Sequence, residues 1–379
     1  MPRFPDELVD LETLSAVSNF CANILAPEAS ATDQQSRFAT HHIKALSAMC
    51  ILGMNLPTEY GGMGLDPYTL LEAMANISGT CASTGSMVSA HFLASDSIKF
   101  GGSEVQKQKY LPQLASGQML GAFALTEPDA GSDPASMTTL ATRQGDSYRI
   151  KGTKHFISNA GAADLIVIYA KTDPALGGKG VSAFVVERQG GGITTGKAEP
   201  IMGLKGAHAF EFSIDTKVPA ANRLGDEGSG LKTAMKTLDA GRIDIAMCSV
   251  GIAEAAYGAA HHWMKSRKMG GALLSSYQGL QWMLADMATD IAAARGLCLE
   301  AIRKRVKGER YSIEASMAKL FASEMAGCVT DKALQIHGGY GFTQSLPVER
   351  YVRDARIMRI YEGTSEIQRN IISRSLLAD

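Results

Sequence analysis

One carboxylate, Glu362, stands between Tyr361 and Gly363 in RIYEGTSEIQR, just before a run that reads as a terminal helix. An acid at such a junction has two uses. It can stabilise the helix start through the dipole, a role that Glu366 would serve equally well. Or it can reach into a cleft, partly desolvated, where its pKa rises toward neutrality and it acts as a general base. Two further stretches carry groups suited to a flat, polar-edged ring. AFALTEPDAGSD, residues 122–133, begins as a strand and ends in a loop with Pro128, Gly131 and Ser132, able to offer N–H groups and hydroxyls to a phosphate. KGTKHFISNAG, residues 151–161, sets Phe156 among Lys154, Ser158 and Asn159. Alone, the first loop reads as a surface turn; beside the second, it becomes half of an aromatic and hydroxyl-lined ring site.

Metal chemistry is not expected. Six cysteines are scattered without a C-x-x-C pair, which argues against zinc or a disulfide framework and suits a reducing compartment, with most of them as small core residues. The adjacent pairs His41–His42 and His261–His262 would point about 100° apart on a helix, so neither reads as a metal clamp. A net charge of -1 gives no sign of a nucleic-acid or membrane-surface partner. No apolar run reaches the ~20 residues of a membrane span. The start, MPRFPDELVDLETL, has neither a hydrophobic signal core nor an Arg-rich transit pattern, although a processed mitochondrial protein would look the same.

The elements that must position these groups change character twice. At 379 residues the chain exceeds one ordinary core. Apolar residues recur at helical spacing from 5 to 118, broken by the glycines and prolines of LPTEYGGMGLDP. Alternating runs such as DSYRIKGTKHFISNA, ADLIVIYAKT, GVSAFVVERQ and AFEFSIDTKVPA predict a small β-sandwich or barrel. After GDEGSGLKTAM three long helical patterns follow. The expected class is α+β multidomain: a helical domain over 1–120, a β domain over 121–228 and a helical bundle over 229–379.

Six motifs, in order, resemble those of the acyl-CoA dehydrogenase family of flavoproteins, over essentially the whole length: LTEPDAGSD, KHFISNA, DAGRIDIA, SRKMGGALLSSYQGLQWMLADM, ALQIHGGYGF and RIYEGTSEIQRNIISR. The resemblance implies an N-terminal helical domain, a central β domain, a C-terminal four-helix bundle, and a homotetramer holding FAD between subunits. It implies flavin and CoA contacts at Phe123, Leu125, Thr126 and Ser132, and a pair against the isoalloxazine ring at Phe156 and Ser158. Many relatives have Trp at the Phe156 position. Arg267, Gln278 and the run Gln335 to Gly339, Gly338 included, resemble contacts to the FAD pyrophosphate and adenosine of a neighbouring subunit; for Gln278 alone, an ordinary helix-surface hydrogen bond is the stronger reading. Thr364 and Ser365 fall where relatives touch FAD. Gly270 departs from the pattern, since relatives commonly carry Phe there.

The same resemblance assigns the base to Glu362, with Tyr361 and Gly363 beside the substrate. Some branches carry the base at the position of Gly241, where glycine cannot serve. Arg242 resembles an active-site arginine, Asp239 a substrate-side contact and Arg374 a CoA-nucleotide contact. Ser86, Ser89 and Leu93, in TCASTGSMVSAHFLAS, resemble the acyl-pocket helix; that stretch has no Lys or Arg, so an uncharged acyl group is expected rather than one ending in a carboxylate. ISRSLL looks most like the short branched-chain members. The implied reaction converts an acyl-CoA to a trans-2-enoyl-CoA, with the α proton going to Glu362, hydride to flavin N5 and electrons to an electron-transfer flavoprotein. Its setting would be fatty acid or branched-chain amino acid catabolism, in a bacterial cytoplasm or a mitochondrial matrix. Two alternatives stay open: an oxygen-using flavin oxidase, and a non-catalytic scaffold that keeps the fold.

Overall fold

A computed structural model describes residues 4–378; Met1–Arg3, which open the acidic N-terminal stretch and the first expected domain, and Asp379 lie outside the described residues. The N-terminal region contains α1 (Leu11–Phe20), α2 (Ala26–Gln34), α3 (Ile43–Ala48), α4 (Pro67–Thr80), α5 (Ala82–Gly101) and α6 (Glu104–Ala115). Local chemistry sets the starts. Asp66 caps α4, with Pro67 in its first turn, and Ser103 with Gln106 forms a capping box on α6. Buried almost throughout, α5 lies against α7 and the first β-strand, which accounts for its small and apolar residues on every side.

The middle region contains β1 (Gly121–Ala124), β2 (Leu140–Gln144), β3 (Ser147–Ser158), β4 (Leu165–Lys171), β5 (Val181–Glu187), β6 (Ile193–Ala198), β7 (Ala209–Pro219) and β8 (Arg223–Leu224). They form one continuous sheet in the order β6-β7-β3-β2-β4-β5-β8, with β1 added parallel to β4. Alternation explains its two cores. Ile166 and Ile168 of β4 and Phe184 of β5 share a core with Ile150 of β3 and Phe212 of β7, so the sheet folds over on itself. Val167, Tyr169 and Val185, on the opposite face, pack on Leu93, Ile98 and Leu111 of the helical region. Strands β2 and β6 escape the sequence reading because each is short and carries only one or two inward apolar residues, Ala141 in β2 and Ile193 and Ala198 in β6.

The C-terminal region has α7 (Gly230–Ser266), a small hairpin of β9 (Lys268–Met269) and β10 (Ala272–Leu273), then α8 (Gln278–Val306), α9 (Ser312–His337), α10 (Val348–Arg356) and α11 (Ser365–Leu376). Against the sequence expectation, α7 is long and apolar enough to cross a membrane by composition, but that stretch is mostly buried in the protein. It is the core helix, touching α4, α5, α8 and α9. Glycine permits the closest approach: a Cβ on Gly251 would collide with the Ala75 carbonyl of α4. Four of the six cysteines are buried as expected, while Cys50 and Cys328 are exposed.

Candidate active site

After α10 the chain makes a tight turn over Ile357–Arg359, closed by Tyr361 N–H donating to the Ile357 carbonyl at 3.2 Å. Glu362 then adopts a left-handed backbone, φ 54°, followed by Gly363 at φ 93°. A non-glycine residue there is strained by about 1–2 kcal/mol, so neighbouring groups must hold it. Lys319 Nζ donates to the Gly363 carbonyl at 2.7 Å, and Gln368 Nε2 donates to the same oxygen at 2.9 Å and to the Glu362 carbonyl at 3.2 Å. Thr364 caps α11, accepting from Ile367 N–H at 3.3 Å. The first turn of α11 carries Glu366, not Glu362, which disposes of the helix-dipole role.

Turned inward, Glu362 is partly buried as a residue, and its Oε2 is fully buried with no hydrogen-bond partner among the described residues. A Cβ on Gly241 would lie 2.4 Å from that oxygen and 2.8 Å from Leu93 Cδ2, so glycine makes room for the carboxylate. Burial and the nearby Asp244 carboxylate push Glu362 up to about 8, against the opposing pull of Lys319 and Arg242. Asp244, on the same helix one turn on, is itself pushed up to about 7 by burial and Asp96, with Arg305 and Lys99 opposing. Its Oδ1 is buried without a partner among the described residues. Burial lowers Lys319 to about 8. Lys319 and Asp244 escaped the sequence reading. The available signal was a lone charge inside an otherwise small and apolar helical run, SMAKLFA and IDIAMC.

Ser86, Ser89 and Leu93 share one buried face of α5, with Leu93 against Gly241. The Ser89 hydroxyl is buried and unpartnered among the described residues. Tyr361 donates its hydroxyl to Met358 Sδ at 3.0 Å. Asp239 is engaged within the helix bundle: Arg242 NH1 donates to it at 2.6 Å and Ser312 Oγ donates to its other oxygen.

The two β-domain loops are tied together by a different acid. Glu127 accepts from Thr138 N–H (2.6 Å), Thr139 N–H (3.0 Å) and Lys154 Nζ (2.9 Å). Burial raises it, but the Lys154 ammonium and these donors win and hold it at about 2. Lys154 is therefore not a ring contact as the sequence suggested; its long stem let it bury wholly beneath the loop. Asn159 is likewise buried, donating to the Met87 and Gly121 carbonyls. A bulge between Lys154 and Ile157 turns Phe156 outward, at φ 55° and 59% exposed, stacked on His155 with ring centroids 3.9 Å apart. Ser158 is half-buried nearby and Ser132 is exposed. Phe123 packs on Tyr169, Leu125 is buried, and the Thr126 carbonyl accepts from His155 N–H at 3.0 Å. Ser365 is buried and donates to Glu324 at 2.7 Å, which leaves its hydroxyl committed.

A cleft of about 930 Å³ opens between the end of α7, the β9–β10 hairpin and the end of α9, lined by Arg267, Gln335, Gly338 and Gly339 among others. The Arg267 guanidinium lies over Tyr340 at 5.1 Å and Trp263 at 5.8 Å. A cation framed by aromatic faces suits a nucleotide diphosphate: phosphate oxygens for the fork, a base for the rings. Gln278 opens α8 exposed at the rim and does not line the cleft. At the hairpin, Gly270 and Gly271 both have positive φ in a two-residue turn, the conformation that a phenylalanine would resist. Tyr277 folds back to donate to the Met269 carbonyl at 2.7 Å, bringing an aromatic beside the missing one. Arg374 is exposed near the end of α11, apart from these groupings.

Family models agree with this layout. The acyl-CoA dehydrogenase N-terminal domain matches residues 10–118, its middle domain 122–216 and its C-terminal domain 228–377. The chain belongs to the acyl-CoA dehydrogenase family. It is an oxidoreductase of that family, dehydrogenating acyl-CoA with FAD as its cofactor. It is 44% identical to a short-chain specific acyl-CoA dehydrogenase of Clostridium acetobutylicum over 94% of this chain and 95% of that one. Butyryl-CoA dehydrogenase from Megasphaera elsdenii is 38% identical, with a TM-score of 0.96 and full coverage of both chains. A solved structure described as the electron transferring flavoprotein of Acidaminococcus fermentans is 41% identical, also with a TM-score of 0.96 over both whole chains. The cleft around Arg267 and the outward-turned Phe156 fit the two ends of FAD.

Proposed function

We propose that this acyl-CoA dehydrogenase removes the α proton of a short, uncharged acyl thioester with Glu362 and yields the trans-2-enoyl-CoA. The observation that carries this is the buried, unpartnered Glu362 Oε2 facing Gly241 from a strained backbone. A carboxylate near 8 is a far stronger base than an ordinary one, and burial keeps water from competing for its proton. Its ionised share rises as pH climbs toward that value. The Glu362 N–H has no acceptor among the described residues, leaving it free to donate to a thioester oxygen. Lys319 and Gln368 hold the following peptide, and so the position of the base.

Bound FAD supplies the acceptor for the β hydrogen and its electron pair. Phe156, Ser158, Phe123, Leu125, Thr126 and Ser132 would hold its ring end; Arg267, Gln335, Gly338 and Gly339 would hold the nucleotide end of a neighbouring subunit's FAD. Thr364 and Ser365 would approach it through backbone groups. The reading includes a homotetramer and a domain division at 120 and 228, the latter supported by family-model matches over 10–118, 122–216 and 228–377. Asp239 and Arg242 would act on the substrate side as a pair, and Arg374 on the CoA nucleotide. Ser86, Ser89 and Leu93 would line the acyl pocket, where the buried Asp244 adds a further reason to reject a carboxylate-terminated acyl group. Electrons would pass to an electron-transferring flavoprotein, a reading supported by the Acidaminococcus likeness. The setting is a bacterial cytoplasm or a mitochondrial matrix; relatives include a Clostridium enzyme and mitochondrial short-chain enzymes at 41% identity.

The test is anaerobic reduction of the bound flavin by butyryl-, isobutyryl-, octanoyl- and glutaryl-CoA. Rapid bleaching by a short uncharged thioester is expected. A preference for glutaryl-CoA would overturn the substrate reading, and no bleaching by any thioester would favour the scaffold.

A further inference from the structure

Against the sequence expectation, the His41–His42 pair converges instead of diverging. The pair ends a short turn, Ala39–His42, leading into α3, and the two rings tilt together with centroids 3.8 Å apart. Their Nε2 atoms face one oxygen of Glu28 on α2, at 3.0 Å for His41 and 3.4 Å for His42. All three donor atoms lie within 4.8 Å of one another. A tetrahedral zinc-type ion, with ligands about 2.0–2.1 Å away, separates them by about 3.3 Å, so the ring-to-carboxylate spacing already matches.

The hydrogen bonds anchor Nδ1 of each ring. His41 Nδ1 lies 2.9 Å from the Phe38 carbonyl, which can only accept, so the proton sits on Nδ1. His42 Nδ1 lies 2.9 Å from Thr84 Oγ1, whose own proton goes to Cys81 Sγ, so this ring also donates from Nδ1. Nε2 is therefore the atom of each ring that faces the carboxylate, bridged to it by a proton when the ring is cationic and able to offer its lone pair to a metal ion that displaces that proton; His42 Nε2 is buried with no hydrogen-bond partner among the described residues. Anchored Nδ1–H groups with free Nε2 atoms are the support that metal-binding histidines need. Arg37, 2.6 Å from Glu28, is the one competing cation at the cluster among the described residues; it is half exposed and able to swing aside.

We propose that Glu28, His41 and His42 form a three-ligand site for a divalent transition ion of the zinc class, with the fourth position open to water. Through Thr84 the site would staple α2 to the start of α5, which carries Ser86 and Ser89. The test uses tag-free, FAD-loaded full-length protein stripped with chelator and titrated with Co²⁺, then Zn²⁺. One equivalent of Co²⁺ should give tetrahedral bands beyond the flavin absorption, and Zn²⁺ should erase them. His41→Ala and Glu28→Gln, both at accessible positions, should weaken binding by at least tenfold, whereas Arg37→Gln should strengthen it. Absence of the bands, or unchanged affinity in His41→Ala, would overturn the proposal and leave the cluster as a protonated histidine ion pair.

Discussion

Glu127 and Glu362 are both acids withdrawn from solvent near a buried lysine, and their charges are driven in opposite directions. Glu127 meets Lys154 directly and collects two backbone N–H donors, so its ionised form is held down to about 2. Near Glu362, Lys319 spends its hydrogen bond on the Gly363 carbonyl, and a second acid, Asp244, sits close by; the carboxyl rises to about 8. Both lysines are lowered to about 8 by burial, so the lysine is not what differs. Partner geometry is. A saturated carboxylate joins two loops and is chemically inert, while an unsaturated one keeps its affinity for a proton.

Four substitutions or titrations can break this contrast. The largest effect should come from Glu362→Gln, which removes the base while keeping its shape. Flavin reduction by butyryl-CoA, followed by stopped flow, should slow by about 10²- to 10⁴-fold with FAD retained. A rate near that of the wild type would move the base elsewhere. Lys154→Met should be the structural counterpart, leaving the Glu127 charge buried and unpaired. A loss of about 3–5 kcal/mol in urea unfolding is expected, and a loss below about 1 kcal/mol would mean that Glu127 neutralises instead.

The two acids should also impose opposite pH dependence on stability. Glu127, depressed to about 2 from 4.5, contributes stability above pH 4.5 that disappears as pH falls toward 2. Glu362, raised from 4.5 to about 8, keeps its proton in the folded state while the unfolded chain loses it, so stability falls between those values as pH rises. Consequently Glu362→Gln should gain stability over wild type between pH 5 and 8 in thermal unfolding; a constant difference across that range would contradict the raised pKa. The smallest effect should be a shift in profile with Asp244→Asn. With Asp244 gone, and Lys319 and Arg242 still present, Glu362 should titrate lower, moving the rising limb of flavin reduction toward acid pH. An unmoved limb would mean that the two carboxyls are not coupled.

Much of this protein could be read from residue order. The change from helical to alternating period marked the β region, because one-sided burial imposes period 2 on strands such as β7 and a wider apolar stripe on helices. Glu362 stood out because its junction lies between recognisable elements. Contacts distant in sequence were decided only by the tertiary structure. Lys154 looked like a ring contact until its ammonium met Glu127, 27 positions away. The commitment of Asp239 to Ser312 was invisible in sequence, and Lys319 and Asp244 gained meaning only when α9 and α7 brought them to the Glu362 loop. The rings of His41 and His42 approach each other more closely than ideal helix angles suggest, because their tilt and the approach of Glu28 belong to the fold. Sequence patterning determines which face of an element is buried; the charge state of a buried group depends on which partners arrive beside it, and that is settled by three-dimensional packing.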